Sequence, residues 1–285
     1  MEKIAVLIDS TSFLSEELKK ELDIRTVYLN IVINNHSNKE IIDMTADKYY
    51  EYLRDTNNSF PTTSQPAIGE VVACLEKLKE EGYTDVIAIA LSSGISGACS
   101  SYTVAGLMVD GINVHPFDSE VSCKPEGWYA IKAANLIKEG KNSNQIISAL
   151  NEMKKVSKAY FMADDLSHLQ RGGRLSGAQA LVGSLLQVKP LLHFEDKIIV
   201  PFQKIRTYKK VVLRMYELFD EFYQEHKGEN IHVCVLHVDA IEKAHEIKEY
   251  LEDKYPDIAI EIDAISPVIS THLGLGAIGF GWTIL

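Results

Sequence analysis

A rhythm constrains this chain more than any single motif: short runs of apolar residues alternate with segments of helical periodicity. Ile4 to Ile8 and Asp85 to Leu91 read as buried strands, and Asn113 to Phe117 as another. Strands that are apolar along their whole length have both faces covered, as in a parallel sheet with helices packed on its two sides. The intervening segments fit that role. Helices are expected from about Ser15, over Thr45 to Arg54 with Thr45 as N-cap, over Ala67 to Glu81 with Gly82 as the stop, over Ala98 to Met108, and at about 123–139 and 143–155. Val27 to Ile33 is a further apolar run, and Pro61 to Pro66 reads as a loop.

After residue 157 the rhythm changes. Ala159 to Ala163, Ile231 to Val238, Ile258 to Ala264 and Ile278 to Ile284 read as strands. Leu191 to Phe194 and Lys197 to Phe202 read as a β-hairpin turning at Glu195-Asp196. Ser176 to Val188 is an uncharged helical segment, Thr207 to Glu225 a long amphipathic helix, and Ala240 to Asp253 another helix. The expected fold is therefore α/β in two domains. Residues 1–157 form an open parallel sheet with helices on both faces, and residues 158–285 a mixed α+β domain. A chain of 285 residues is a natural length for two domains. No linker rich in Pro, Gly or Ser separates them, so they should pack closely, with a ligand site between them.

Charge and composition remove whole classes of function. A net charge of -11 argues against nucleic acid, which needs a clustered basic footprint, and against stable attachment to an anionic membrane. No stretch approaches the roughly 18 uncharged apolar residues of a membrane span. The opening residues carry neither a long apolar run nor a cleavage site, so no signal peptide is expected. Cys74, Cys99, Cys123 and Cys234 lie far apart and match no CxxC or zinc spacing, which suits reduced thiols in a cytoplasmic protein. The histidines show no metal-ligand spacing, and neither a metal nor a cofactor is expected.

Three hydroxyl-rich turns stand out: Asp9-Ser10-Thr11-Ser12, Thr62-Thr63-Ser64, and Ser92-Ser93-Gly94-Ile95-Ser96-Gly97. Each follows a strand or precedes a helix. In an open parallel sheet, ligands sit at the carboxyl ends of the strands, where helix N-termini present free N–H groups. Hydroxyls there add donors without charge, which suits a carboxylate or phosphate oxygen. Any one such turn is explained as well by ordinary helix capping, and Thr45 and Ser64 fit that role. Gly94 and Gly97 permit close backbone approach, or a plain tight turn. His272, ahead of a glycine-rich stretch, reads either as a donor to an anionic head group or as a hydrogen-bonded structural histidine. Arg171-Gly-Gly-Arg174 reads as an anion clamp, a docking point for an acidic partner, or a solvated loop.

Walker, GxGxxG and HExxH motifs are absent, and Gly94-Ile95-Ser96-Gly97 is one residue short of the GxSxG elbow. A triad of Ser93 or Ser96, His272, and Asp118 or Asp9 remains open, because triads assemble from distant residues. Two alternatives thus stand beside a binding protein: a serine-type acyl hydrolase, and a protein that binds a small phosphorylated metabolite.

Six segments, in this order, resemble the DegV family: Asp9-Ser-Thr11, Thr62-Thr-Ser-Gln-Pro66, Leu91-Ser-Ser-Gly-Ile-Ser-Gly97, Leu169-Gln-Arg-Gly-Gly-Arg-Leu-Ser176, Val200-Pro-Phe-Gln-Lys-Ile-Arg206 and Thr271-His-Leu-Gly-Leu-Gly-Ala-Ile-Gly279. The resemblance implies a bacterial lipid-binding protein with one long-chain fatty acid between two α/β domains. It implies a carboxylate held by Thr62, Thr63, Ser93 and His272; Ser64, Ser96 and Gly94, in the same hydroxyl-rich turns, are the candidates for further ligand contacts. It also implies a non-enzymatic role, in which a separate fatty acid kinase phosphorylates the bound carboxylate to feed phospholipid synthesis. Arg171, Arg174 and Arg206 are then expected at contacts with that partner or, transiently, with a membrane surface. The chain departs from the family pattern at Ala98-Cys-Ser-Ser-Tyr102 and at Leu275, where proline is common; both bear on the shape of the acyl tunnel.

Overall fold

A computed structural model describes residues 2–175 and 189–285; the helix expected over Ser176 to Val188 lies outside the described residues. In chain order the elements are β1 (Ile4–Asp9), α1 (Glu16–Glu21), β2 (Ile24–Val27), β3 (Asn30–Ile33), β4 (His36–Lys39), α2 (Ala46–Arg54), β5 (Thr62–Ser64), α3 (Ile68–Glu80), β6 (Asp85–Ala90), α4 (Ala98–Met108), β7 (Asn113–Asp118), α5 (Lys124–Lys138), α6 (Ser143–Val156), β8 (Lys158–Met162), α7 (Ser167–Arg171), β9 (Lys189–Glu195), β10 (Ile198–Ile205), α8 (Tyr208–Glu225), β11 (Ile231–His237), α9 (Ile241–Lys254), β12 (Ile260–Ala264), α10 (Pro267–Leu273) and β13 (Ile278–Ile284).

The first half is built on a parallel sheet of order β2-β1-β6-β7. β1 and β6 are buried at every residue, as their unbroken apolar runs require. Helix α3 turns Val71, Leu75 and Leu78 inward, one stripe at helical spacing. Local chemistry sets the helix starts: Ser15 accepts from Leu18 N at α1, and Asn142 with Gln145 forms a capping box at α6. The second half is a mixed sheet of order β10-β9-β8-β13-β11-β12, in which only β11 and β12 run parallel. Its outer face packs on α8 and α9 around Phe219 and Trp282. Its inner face contributes Phe161, Leu192 and Leu236 to the core of the first half, so one apolar cluster spans both.

Two expectations are revised by the fold, and one element is added to them. The run Val27 to Ile33 divides between β2 and β3, which belong to different sheets. The segment 61–66 is not a plain loop but contains β5, which joins β3 and β4 in a small antiparallel sheet. Thr-Thr-Ser carries no apolar alternation; pairing with β3 (Ile31 opposite Thr63) makes it a strand. Finally, residues 265–279 contain α10, whose residues Pro267–Thr271 are all buried. A helix wrapped on all sides shows no apolar stripe, so periodicity misses it.

Tyr50 Oη donates to the Ile265 carbonyl (2.6 Å), tying α2 to the approach of α10. Lys124, largely buried at the start of α5, pairs with Glu261 and Asp263 of β12. Ser157 and Thr283 share a buried hydroxyl contact of 2.7 Å.

Candidate functional site

Between the two sheets lies a cavity of about 300 Å³, at the lower end for small-molecule sites. Most of its wall is apolar, with Leu29, Leu91, Ile95 and Cys123 from the first half and Phe161, Leu169, Phe194 and Leu236 from the second. Its polar residues are Thr63, Ser64, Gln65, Ser96, Ser122, Arg174 and His272. Ser64 and Gln65 are exposed while Leu29, Leu91 and Leu236 are buried, so the cavity reaches solvent at β5 and runs from there toward buried apolar side chains.

At that end, Thr63 Oγ1 and His272 Nε2 lie 2.8 Å apart. β5 supplies the threonine and α10 the histidine. Burial, reinforced by the Arg174 guanidinium and by the neighbouring His168 ring, holds the His272 imidazole down at about 3, so it is neutral at ordinary pH. Its Nδ1 is buried and has no partner among the described residues. The tautomer with the proton on Nε2 donates to Thr63 Oγ1 and leaves the threonine hydroxyl hydrogen free for an acceptor in the cavity. Gly172 sits against the other side of the ring: a Cβ there would fall 2.1 Å from His272 Nδ1. The first glycine of Arg171-Gly-Gly-Arg174 thus serves packing against the histidine, while Gly173 supplies the left-handed backbone of the turn (φ 71°).

Arg174 leaves the same loop and crosses to the first half, where its Nε donates to the Ile95 carbonyl (3.1 Å); a second nitrogen bonds the Gly172 carbonyl. Burial lowers its pKa, and no carboxylate pairs with it among the described residues. An uncompensated, half-buried guanidinium at the polar end of a cavity is a standing attraction for an anion.

The glutamate that anchors α10 escaped sequence reading. Glu40 is fully buried; one oxygen accepts from Val268 N (3.0 Å) at the start of α10, and the other from Ser10 Oγ. Burial pushes its pKa up to about 7. A lone glutamate between two elements carries no spacing signal.

The other expected residues fall into separate groups. In Asp9-Ser-Thr-Ser12 all the hydroxyls are buried and consumed internally: Asp9 accepts from Thr11 N (2.9 Å) and Leu91 N (2.9 Å), and Thr11 Oγ1 also reaches Glu126 (2.9 Å). That turn does not line the cavity. Ser93 is exposed and donates to Asp118, and neither it nor Thr62 lines the cavity. Gly94 packs against the β9–β10 turn, where a Cβ would meet the Lys197 carbonyl oxygen at 2.3 Å. Ser92 Oγ donates to that same oxygen (2.6 Å), and Lys197 Nζ reaches Asp118 (3.1 Å). Ser92-Ser93-Gly94 therefore docks the second half onto the first, while Ser96, further along the turn, faces the cavity. Arg171 is exposed above the Phe60 ring (5.5 Å), and Arg206 is exposed after β10.

No triad is assembled among the described residues. Ser93 bonds Asp118 but not His272, His272 bonds Thr63 and has no carboxylate on Nδ1, and Asp9 is bound to Thr11 and Leu91 N. A histidine held at about 3 is also a weak base. No helix among the described residues is long and apolar enough to cross a membrane.

Fold and cavity define a class: a two-sheet α/β protein that holds a chiefly apolar ligand space with one polar end carrying the Arg174 guanidinium. The chain belongs to the DegV family, whose model, described as one of uncharacterised proteins, matches residues 3–284. It is 50% identical over 280 residues to protein DegV of Bacillus subtilis, covering 98% of each chain. The crystal structure of DegV from B. subtilis, described as a fatty acid binding protein, superposes with a TM-score of 0.94 at 48% identity over the whole of both chains. A fatty acid binding DegV family protein from Streptococcus agalactiae superposes with a TM-score of 0.91 at 29% identity, again over the whole of both chains.

Proposed function

We infer that this protein binds one long-chain fatty acid, with the alkyl chain in the cavity and the carboxylate at Thr63, Ser96, His272 and Arg174. The observation that carries this is the uneven polarity of the cavity between the two halves, apolar over most of its wall and polar at β5, where it meets solvent. Burying an alkyl chain is worth about 0.8 kcal/mol per methylene, and a charge-assisted hydrogen bond to the carboxylate about 1.5–3 kcal/mol. The hydroxyl–imidazole pair receives the head group without a fully buried counter-charge, and Arg174 adds attraction from one side. The relatives described as fatty acid binding proteins support the same reading. Relative to the residues expected from the family pattern, Ser96 replaces Ser93 and Arg174 joins the head-group set, while Thr62 stays at the rim.

The reading extends to a donor role. A carboxylate bound at the solvent end can be presented to a separate fatty acid kinase, which phosphorylates it to an acyl phosphate for phospholipid synthesis in the cytoplasm, where ATP is available. The exposed Arg171 and Arg206 are the residues proposed to meet that partner or, transiently, a membrane surface. Calorimetric titration with oleate and with oleyl alcohol tests binding: tight binding of the acid and much weaker binding of the alcohol is expected, and equal affinities would refute a carboxylate site. The loaded protein, mixed with a bacterial fatty acid kinase, ATP and hydroxylamine, should yield acyl hydroxamate; no hydroxamate above that from free oleate would refute the donor role.

A further inference from the structure

The two glycines of β13 that line the cavity, Gly279 and Gly281, are not equivalent. The strand begins just beyond α10, which carries His272, and leads away from the polar end. Gly279 lies opposite Phe161 in the ladder with β8, and Gly281 opposite Ala159. The two glycines are thus about 7 Å apart along the strand, in order of increasing depth.

A Cβ at Gly281 would sit 2.8 Å from Pro125 Cγ, which belongs to the opposite half of the molecule. The halves already touch there. At Gly279 the nearest atoms to an added Cβ would be Leu236 Cβ (3.3 Å), Leu236 Cδ1 (3.6 Å) and Phe161 Cβ (3.8 Å), all on strands of the same sheet. A side chain at that position would stand up from the cavity floor. Beyond the deep end lies a second cavity of about 280 Å³, sharing Ala159, Tyr160 and Phe194 with the first and lined by the charged Glu120, Lys154, Lys158, Asp196 and Lys197. An alkyl terminus gains nothing by entering a space lined with ionised groups of both signs.

We propose that Gly279 determines the length of alkyl chain the cavity accepts, with the Gly281–Pro125 contact as its end wall. This rests on the fatty-acid reading above. The missing side chain at 279 leaves the floor open for the middle of the chain, and the end wall with the charged space behind it stops the terminus. The test is competition: purified protein is incubated with equal amounts of decanoic, myristic and stearic acids, separated from free lipid, and its bound acids are measured by mass spectrometry. Wild type is expected to favour stearic over decanoic acid. Gly279→Leu should lower that ratio about tenfold or more, since even one methylene of pocket space discriminates by this much. Gly279→Ala, which only asks Leu236 to yield slightly, should shift the ratio the same way by less; it decides the matter if the leucine variant does not fold. A folded Gly279 variant with the wild-type ratio would overturn the proposal. Wild type retaining none of the three acids would instead overturn the fatty-acid reading on which it depends.

Discussion

His272 shows how a polar group is kept useful inside an apolar space. Its ring is gripped by Thr63 on one side and by Gly172 on the other, and burial keeps it uncharged. A neutral imidazole avoids the cost of a desolvated charge in the empty site, yet still polarises the threonine hydroxyl toward a carboxylate. Gly172→Ala should displace the ring, because its Cβ would fall 2.1 Å from Nδ1. That variant and His272→Ala should each weaken oleate binding about tenfold to a hundredfold, as loss of one charge-assisted hydrogen bond implies. Combined, they should weaken it little further, because both act through the same ring. Additive losses in titration calorimetry would contradict this coupling. Sequence alone does not separate the serines of Ser92-Ser-Gly-Ile-Ser96. The choice is made by the β9–β10 turn, which docks on Ser92 and Gly94 and leaves Ser96 toward the cavity.

Among the elements, α10 holds the site together although it is only seven residues long. Glu40 anchors its start through Val268 N, so a buried carboxyl from the first half fixes the element that carries His272. Burial raises Glu40 from 4.5 to about 7, and it raises Asp9 and Glu126 as well. Between those two pH values the folded protein keeps the Glu40 proton that the unfolded chain has released, so stability falls as pH rises through this window and the deficit persists above it. Glu40→Gln imitates the protonated acid, with an oxygen for Val268 N and a nitrogen to donate to Ser10. It should match wild type near pH 5 and be more stable at pH 8, by up to about 3 kcal/mol in denaturant unfolding. The same difference at both pH values would show that Glu40 does not titrate in this range. The elements themselves were mostly legible, since unbroken apolar runs and amphipathic stripes report local burial. β5 and α10 were not, because pairing with β3 defines one and enclosure on every side disguises the other.

For the molecule as a whole, the site exists only because two sheets face each other. The parallel sheet brings the Ser96 turn and the small antiparallel sheet brings β5 to one side, and the mixed sheet brings Phe161, Leu236 and Gly279 to the other, with Arg174 and His272 at the mouth. Pattern reading finds each sheet but not the space between them, which depends on how the Lys124 pairs, the Ser157–Thr283 contact and the Ser92–Lys197 bond set their separation. About fifteen buried methylenes would contribute roughly 12 kcal/mol before association costs, so the bound acid should survive purification. Denaturing extraction and mass spectrometry of the purified protein, beside a Thr63→Val, His272→Ala double variant, tests this most directly. The expected result is one fatty acid per wild-type molecule and marked depletion in the folded variant. No fatty acid in wild type even after incubation with oleate, or a phosphorylated metabolite in its place, would contradict the assignment.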